Sequence, residues 1–229
     1  MFFKKNNYCI VKNSISKELA NFCHDYYVLK SKVYETMVKE NYISPINEDW
    51  GTNKDKQVMN AYSSYADIVM ETILLKVKPV VEKNTGIKLN ENYSYTRMYK
   101  KGNFLSRHLD RLSCEISTTL NLGGDLWPIF LDPTGEKAVL KYTWTDQGMV
   151  SVIKPNSQKG IKVILEPGDM LIYKGDILEH WREPLKGEYC VQVFLHYNSV
   201  NKKEAKNNKF DGRPHLGLPP YFKKDYCDV

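Results

Sequence analysis

His108-Leu109-Asp110 places an imidazole and a carboxylate two positions apart. On extended backbone, side chains at i and i+2 leave the same face, so both can reach one ion. His180, far downstream, supplies a second imidazole. Two imidazoles and one carboxylate cover one face of an octahedron and leave three positions open. That donor set suits a ferrous ion that must also hold exogenous ligands and oxygen. The competing imidazoles are His196, in Val193-Phe194-Leu195-His196-Tyr197, and His215, in a Pro/Gly-rich tail. Either would replace His180 only under a different strand order. His24 lies beside the apolar face of a helix and reads as an ordinary structural histidine.

Those residues need a rigid frame, and the spacing of apolar residues describes one. Residues 8–11 read as a short strand. Ser14 or Ser16 can cap a helix whose apolar stripe is Leu19, Phe22, Cys23, Tyr26, Val33 and Met37. Residues 41–56 are polar, with Pro45 and Gly51, and read as a loop. A second helix is expected from about Ser63 into the 70s, with Pro79 kinking it or starting a new turn and Asn84-Thr85-Gly86 ending it. From Tyr93 onward the grammar is that of strands, near 93–100, 115–122, 127–131, 137–144, 149–153, 161–165, 169–174, 178–183 and 189–197. Their turns are marked by Lys101-Gly102-Asn103, Gly123-Gly124-Asp125, Asp132-Pro133-Thr134-Gly135, Pro155-Asn156 and Pro167-Gly168-Asp169. Helices followed by many strands imply an α+β fold, with the helices packed on one face of a β-sandwich or barrel.

The whole chain of 229 residues reads as one domain: helical support over 1–90, a β core over 91–200 and a tail over 201–229 that packs back on it. The formal charge of +6 is spread along the chain, which permits a nucleic-acid partner without requiring one. The five cysteines, Cys9, Cys23, Cys114, Cys190 and Cys227, form no CxxC pair and read as free thiols in a reducing compartment. No apolar run approaches the ~18 residues that span a bilayer, and the N-terminal residues lack the apolar core of a signal peptide. A cytoplasmic location without membrane attachment is the expectation.

The order of the surrounding segments is more specific than the triplet. Tyr99 and the Gly102 turn precede Phe104-Leu105-Ser106-Arg107-His108-Leu109-Asp110. Thr118-Thr119-Leu120-Asn121-Leu122-Gly123-Gly124 follows, then Glu166-Pro167-Gly168-Asp169, then Glu179-His180-Trp181-Arg182. This arrangement, over roughly residues 90–200, resembles the Fe(II)/2-oxoglutarate-dependent oxygenases, and within them the prolyl-4-hydroxylase-like branch. The separation of 70 residues between Asp110 and His180 (180 − 110) is common in that family. The resemblance implies a double-stranded β-helix, jelly-roll or cupin-like, flanked by N-terminal helices. It also implies His108, Asp110 and His180 as iron ligands, with Fe(2+), 2-oxoglutarate and O2 as cofactor and co-substrates. The implied activity is a dioxygenase hydroxylating a C–H bond of a peptide or protein side chain or of an amino acid, with release of succinate and CO2. No acid or base beyond the metal ligands is needed.

The far carboxylate of 2-oxoglutarate would lie inside the barrel, where an unpaired charge costs several kcal/mol. A basic residue must meet it, and the arginine fork suits that role. In the prolyl-hydroxylase pattern this residue follows the distal histidine by about ten positions. Here that region reads Glu188-Tyr189-Cys190-Val191-Gln192. The candidates are therefore Arg182, two residues after His180 on the same strand face, and Lys186, in the turn before Gly187. Tyr99 matches a family tyrosine that hydrogen-bonds the co-substrate, and Thr119 and Asn121 could assist. Trp127, Trp181, Arg111 and the 41–56 loop are candidates to shape the substrate entrance.

Two other functions compete. An oxidative demethylase of alkylated nucleic acid would carry a downstream arginine pair in an Asn/Thr-containing motif, and none follows His180. A non-catalytic β-barrel binding module would have no reason to keep all three ligands.

Overall fold

The computed structural model describes residues 2–135, 139–145, 148–154 and 159–223, with side chains described for 2–135 and 159–223. The chain opens with a short helix, α1 (Phe2–Asn6), and strand β1 (Tyr8–Val11). Helix α2 (Lys17–Lys39) begins where the Ser16 hydroxyl accepts from the Leu19 N–H at 3.1 Å, closing one of the free donors of the first turn. After the loop comes β2 (Tyr62–Tyr65), which takes the first residues of the helix expected from about Ser63. Pairing with the next strand decides the matter: Tyr62 stands opposite Met98 and Tyr65 opposite Tyr95, which suits aromatic residues on a pleated surface. Helix α3 (Ile68–Thr85) starts only after Asp67, whose carboxylate accepts from the Met70 N–H.

Pro79 lies inside α3 without ending it. The carbonyl that loses its donor belongs to Leu75, a residue 49% exposed, so water can take the vacated place. Gly86 closes α3 in the left-handed conformation (φ 71°), which glycine adopts without a Cβ clash.

The strands are β3 (Leu89–Lys100), β4 (Leu105–His108), β5 (Ile116–Gly124), β6 (Ile129–Leu131), β7 (Val139–Thr145), β8 (Gly148–Lys154), β9 (Ile161–Val163), β10 (Met170–Tyr173), β11 (His180–Arg182) and β12 (Tyr189–Ser199). A six-stranded sheet runs β1-β10-β5-β12-β3-β2 and a four-stranded sheet runs β4-β11-β6-β9, with β7-β8 a separate hairpin. All pairings are antiparallel. This is the α+β double-stranded β-helix. The expected turn at Pro155-Asn156, and Cys227 in the tail, lie outside the described residues. Cys9, Cys23, Cys114 and Cys190 are buried free thiols.

Helices α2 and α3 cover the outer face of the larger sheet. Tyr27, Tyr34, Leu74 and Val77 pack there on Met98, Leu120, Val193 and Leu195. Each such aliphatic side chain contributes about 1.5–3 kcal/mol on burial, which makes the sheet a stiff backing for whatever its inner face carries. Beyond β12, a short helix α4 (Ala205–Asn208) leads into a segment fixed by Arg213, whose buried guanidinium donates to Glu71 of α3 at 2.8 Å.

Candidate active site

The two histidines that sit 72 positions apart in the sequence (180 − 108) are cross-strand neighbours. Strand β11 pairs with β4 so that His180 faces His108 directly, and their ring centroids are 4.2 Å apart. Asp110 lies just past the end of β4, not on the strand, and still turns inward. Its Oδ1 is 3.8 Å from His108 Nε2 and 3.6 Å from His180 Nε2. One ligand atom from each of the three lies within 4.8 Å of the others.

Local hydrogen bonds orient each donor. His108 Nδ1–H donates to the Ser106 carbonyl at 2.8 Å, and His180 Nδ1–H to the Leu178 carbonyl at 3.1 Å. A carbonyl can only accept, so Nδ1 of each ring carries the proton and Nε2 is the atom turned to the shared space. The Asp110 N–H donates to the Gly175 carbonyl at 2.8 Å. Its Oδ2 accepts from the Ser117 hydroxyl at 2.5 Å, and the Ser117 oxygen lies 3.0 Å from His196 Nδ1. Only Oδ1 therefore faces the ligand space. Gly175 permits this packing: a Cβ there would lie 2.3 Å from both Asp110 Oδ2 and Ser117 Oγ.

The electrostatics favour metal-ready protonation states. Burial pushes the His180 imidazole down to about 4, against the pull of Asp110, so it is neutral at physiological pH. Burial would raise the Asp110 carboxyl, but His180, His196, the Ser117 hydroxyl and His108 outweigh it and hold it below the usual carboxylate range. At these two positions the triad thus offers a neutral imidazole and a carboxylate without first losing a proton.

It opens into a cavity of about 430 Å³, whose wall includes Tyr93, Tyr95, Arg97, Arg111, Cys114, Tyr173, Phe194 and His196. The loop between α2 and β2 supplies Glu48, Thr52 and 54–57 to the wall. Arg97 clamps that loop: its Nε lies 2.6 Å from Asp55 Oδ2 and its Nη2 3.2 Å from Asp55 Oδ1. Tyr95 OH donates to Asp55 Oδ2 at 2.8 Å.

Arg182 points into the barrel, as its i+2 relation to His180 requires. It is 2% exposed. Its Nη1 donates to the Trp127 carbonyl at 2.6 Å and its Nη2 to Thr119 Oγ1 at 3.3 Å, while its buried Nε has no partner among the described residues. Burial pulls this guanidinium below the usual arginine range, with Tyr99, Cys190 and Tyr173 opposing. No carboxylate pairs with it among the described residues. A buried cation with an orphaned N–H is an incomplete anion site. Cys190 stands at the position ten residues after His180, where the family pattern has its basic residue. It is small and buried against Gln192, which leaves the space to Arg182 from the facing four-stranded sheet.

The other expectations divide. Tyr99 is fully buried, edge-on to Trp127 at 4.7 Å, in the same interior as Arg182. Thr119 contacts Arg182, but Asn121 is engaged with the Leu165 carbonyl, the Gly123 N–H and Gln192. Lys186 must be corrected: it is exposed on the turn between β11 and β12, so its chain does not enter the barrel. Trp127 packs inside, 4.9 Å below the Arg182 guanidinium. Trp181, the alternate face of β11, stacks outside on Phe130 and under Arg107. Neither tryptophan lines the cavity, whereas Arg111 does. His196 lines it behind Asp110, and His215 is exposed beside Phe210. Ser117, Gly175 and the Arg97–Asp55 pair were not legible as site residues, because only the strand register brings them together.

No family model and no curated protein matches the sequence. Solved structures do match in shape. A prolyl-4-hydroxylase from Pseudomonas putida superposes with TM-score 0.52 at 12% identity, over 85% of this chain and 94% of that one. The fold is that of the iron- and 2-oxoglutarate-dependent oxygenases. A prolyl hydroxylase from Trichoplax adhaerens, solved with a hypoxia inducible factor peptide, aligns at TM-score 0.54 and 10% identity, over 90% of this chain and 87% of that one. The epimerase SnoN, solved with Fe3+, alpha ketoglutarate and a nogalamycin, aligns at TM-score 0.57 and 10% identity, over 86% of this chain and 81% of that one. At such identities the oxygenase fold is shared, and the site must be argued from this chain's own residues.

Proposed function

We propose that this protein is an Fe(II)- and 2-oxoglutarate-dependent dioxygenase that hydroxylates a C–H bond of a peptide or protein side chain or of an amino acid. The observation that carries the reading is the pairing of two incomplete sites in one barrel. His108, Asp110 and His180 converge with free donor atoms. Arg182 is buried in the barrel without a carboxylate among the described residues. A keto diacid answers both needs at once, since one end can chelate a metal and the other can neutralise a cation. The SnoN structure, which holds iron and alpha ketoglutarate, shows that this fold accommodates such a pair.

Iron bound at the triad would supply oxidative decarboxylation of the keto acid by O2, giving succinate, CO2 and a hydroxylated C–H bond. The chain's own work is positional. Ser106 and Leu178 carbonyls hold the imidazole tautomers, and Ser117 keeps one Asp110 oxygen turned away from the ligand space. Arg182, with Thr119 and Tyr99 beside it, would take the far carboxylate. Phe194, Leu105 and Tyr173 line the cavity beside the triad and would limit water there.

The test is anaerobic loading with ferrous iron followed by 2-oxoglutarate and air, with succinate measured. Iron-dependent succinate formation, lost in His180→Ala, is the expected result. Failure of the protein to bind both iron and 2-oxoglutarate would refute the proposal.

A further inference from the structure

The cavity wall carries cations and carboxylates that differ in whether they are already engaged. Arg97 is fully engaged: Nε and Nη2 on Asp55, Nη2 also on Gln57, and Nη1 3.5 Å from Tyr99 OH. Lys54 and Lys56 are exposed on the rim. Arg111 is different. It follows Asp110 directly, lines the same cavity, and its side chain is 47% exposed. Of its guanidinium only Nη2 has a bond within the described residues, to Asp211 Oδ1 at 2.7 Å.

Arg111 is also held in place. Its guanidinium lies 4.6 Å over the Tyr93 ring, and Tyr93 stacks on His196 at 4.6 Å. Asp211 comes from the segment after the barrel and is itself buried, accepting from Tyr65 OH at 2.6 Å and from Lys223 at 2.7 Å. Both Phe210 (φ 55°) and Asp211 (φ 58°) are left-handed, a conformation that non-glycine residues hold only where the surroundings impose it. The tail is thus bent to bring a carboxylate to Nη2 of Arg111, leaving its Nη1 and Nε without a hydrogen-bond partner among the described residues.

Among the cavity-lining carboxylates, Asp110 belongs to the triad and Asp55 to Arg97. Glu48 makes no ion pair among the described residues and is exposed on the loop. The cavity therefore presents one preorganised, part-satisfied arginine near the triad and one unpaired glutamate on its mouth. Its volume of about 430 Å³ must also admit the metal-binding end of the keto acid, which leaves room for one small molecule.

We propose that the substrate is a free α-amino acid, with its carboxylate held by Arg111 and its ammonium met by Glu48. Asp211 is then a positioning residue that aims the Arg111 fork. The assignment rests on the oxygenase reading above and narrows its substrate class.

The test uses the full chain loaded with zinc and 2-oxoglutarate, so that no turnover occurs. The twenty L-amino acids, their α-amides and their N-acetyl derivatives are titrated by calorimetry. At least one amino acid should bind, its amide and its N-acetyl form at least 30-fold more weakly. Arg111→Gln should weaken the acid at least 30-fold and bring it level with its amide, and Arg111→Lys should fall between. Glu48→Gln should weaken the free amino acid but not the N-acetyl form. Asp211→Asn should raise Kd severalfold, and in the iron enzyme should raise KM with little change in kcat. Equal binding of acid and amide, or an Arg111→Gln variant that binds as wild type does, overturns the assignment. So does loading of zinc and 2-oxoglutarate with no amino acid bound, an outcome that leaves the oxygenase reading standing. Failure of wild type to load zinc and 2-oxoglutarate refutes both.

Discussion

At the outer end of the barrel interior, His108, Asp110 and His180 have their non-ligating polar atoms bonded to Ser106, Leu178 and Ser117, so that only ligand atoms face the cavity. At the inner end, Arg182 donates to the Trp127 carbonyl and Thr119 but, among the described residues, keeps a buried N–H unpaired and has no anion beside it. The outer end is preorganised by satisfying everything except the metal-facing atoms. The inner end is preorganised by leaving one charge unsatisfied. A protein that only needed to fold would close the second deficit with a carboxylate or an aliphatic side chain, because a buried unpaired charge is destabilising. Under the proposed function, the contrast separates groups that would hold a metal from a group that would hold an anion.

Substitutions can break the outer end alone. His180→Ala removes one of three ligands and should cost metal affinity on the order of 100-fold or more, measured by competition against a chromophoric chelator. The Arg182 environment should be untouched, as read by its unchanged near-ultraviolet signal from Trp127. Gly175→Ala adds a Cβ 2.3 Å from Asp110 Oδ2 and Ser117 Oγ, so the carboxylate must move. Metal affinity should fall about 10- to 100-fold, the range seen when outer partners of ligands are disturbed.

Acid should act on the same end. The folded chain holds His180 at about 4 against an ordinary 6.5, so between those values the unfolded chain takes up a proton that the folded chain refuses. Stability of the metal-free protein should therefore fall as pH drops across that window, and the slope should shrink in His180→Ala. Asp110 keeps its charge there, since His180, His196, Ser117 and His108 hold it below the carboxylate range despite burial. Denaturant midpoints at pH 7 and pH 4.5 measure the effect. The smallest change comes from Ser117→Ala, which frees Asp110 Oδ2. Metal affinity should drop about 10-fold. A Ser117→Ala variant that binds metal as tightly as wild type would show that the orientation of Asp110 is set by Gly175 alone.

The metal end was largely readable in the sequence because its signal is local. His108 and Asp110 are two residues apart, and His180 shares a strand with Arg182. Even there the reason differs in detail, since β4 stops at His108 and Asp110 is turned in by its bond to Gly175. The helix expected from about Ser63 begins only at Ile68, because Tyr62, Tyr65 and Val69 are compatible with helical spacing while pairing of residues 62–65 with β3 is a long-range fact. Lys186 was offered beside Arg182 because both follow His180 closely. Only the turn geometry shows that one points out and the other in. The links that hold the cavity wall, Asp55 to Arg97 and Asp211 to Arg111, join residues 42 and 100 positions apart and carry no local signature.

The central claim, that the two ends serve one ligand, is tested by titrating 2-oxoglutarate calorimetrically into ferrous protein under argon, in wild type and in Arg182→Met. One equivalent should bind wild type. In the variant the affinity should fall on the order of 100-fold, the worth of about 3 kcal/mol of charge-assisted hydrogen bonding. Iron affinity should be unchanged, and the metal-free variant should be no less stable than wild type because a lone buried charge has gone. Undiminished 2-oxoglutarate binding by Arg182→Met, or its absence in wild type that holds iron, would contradict the claim.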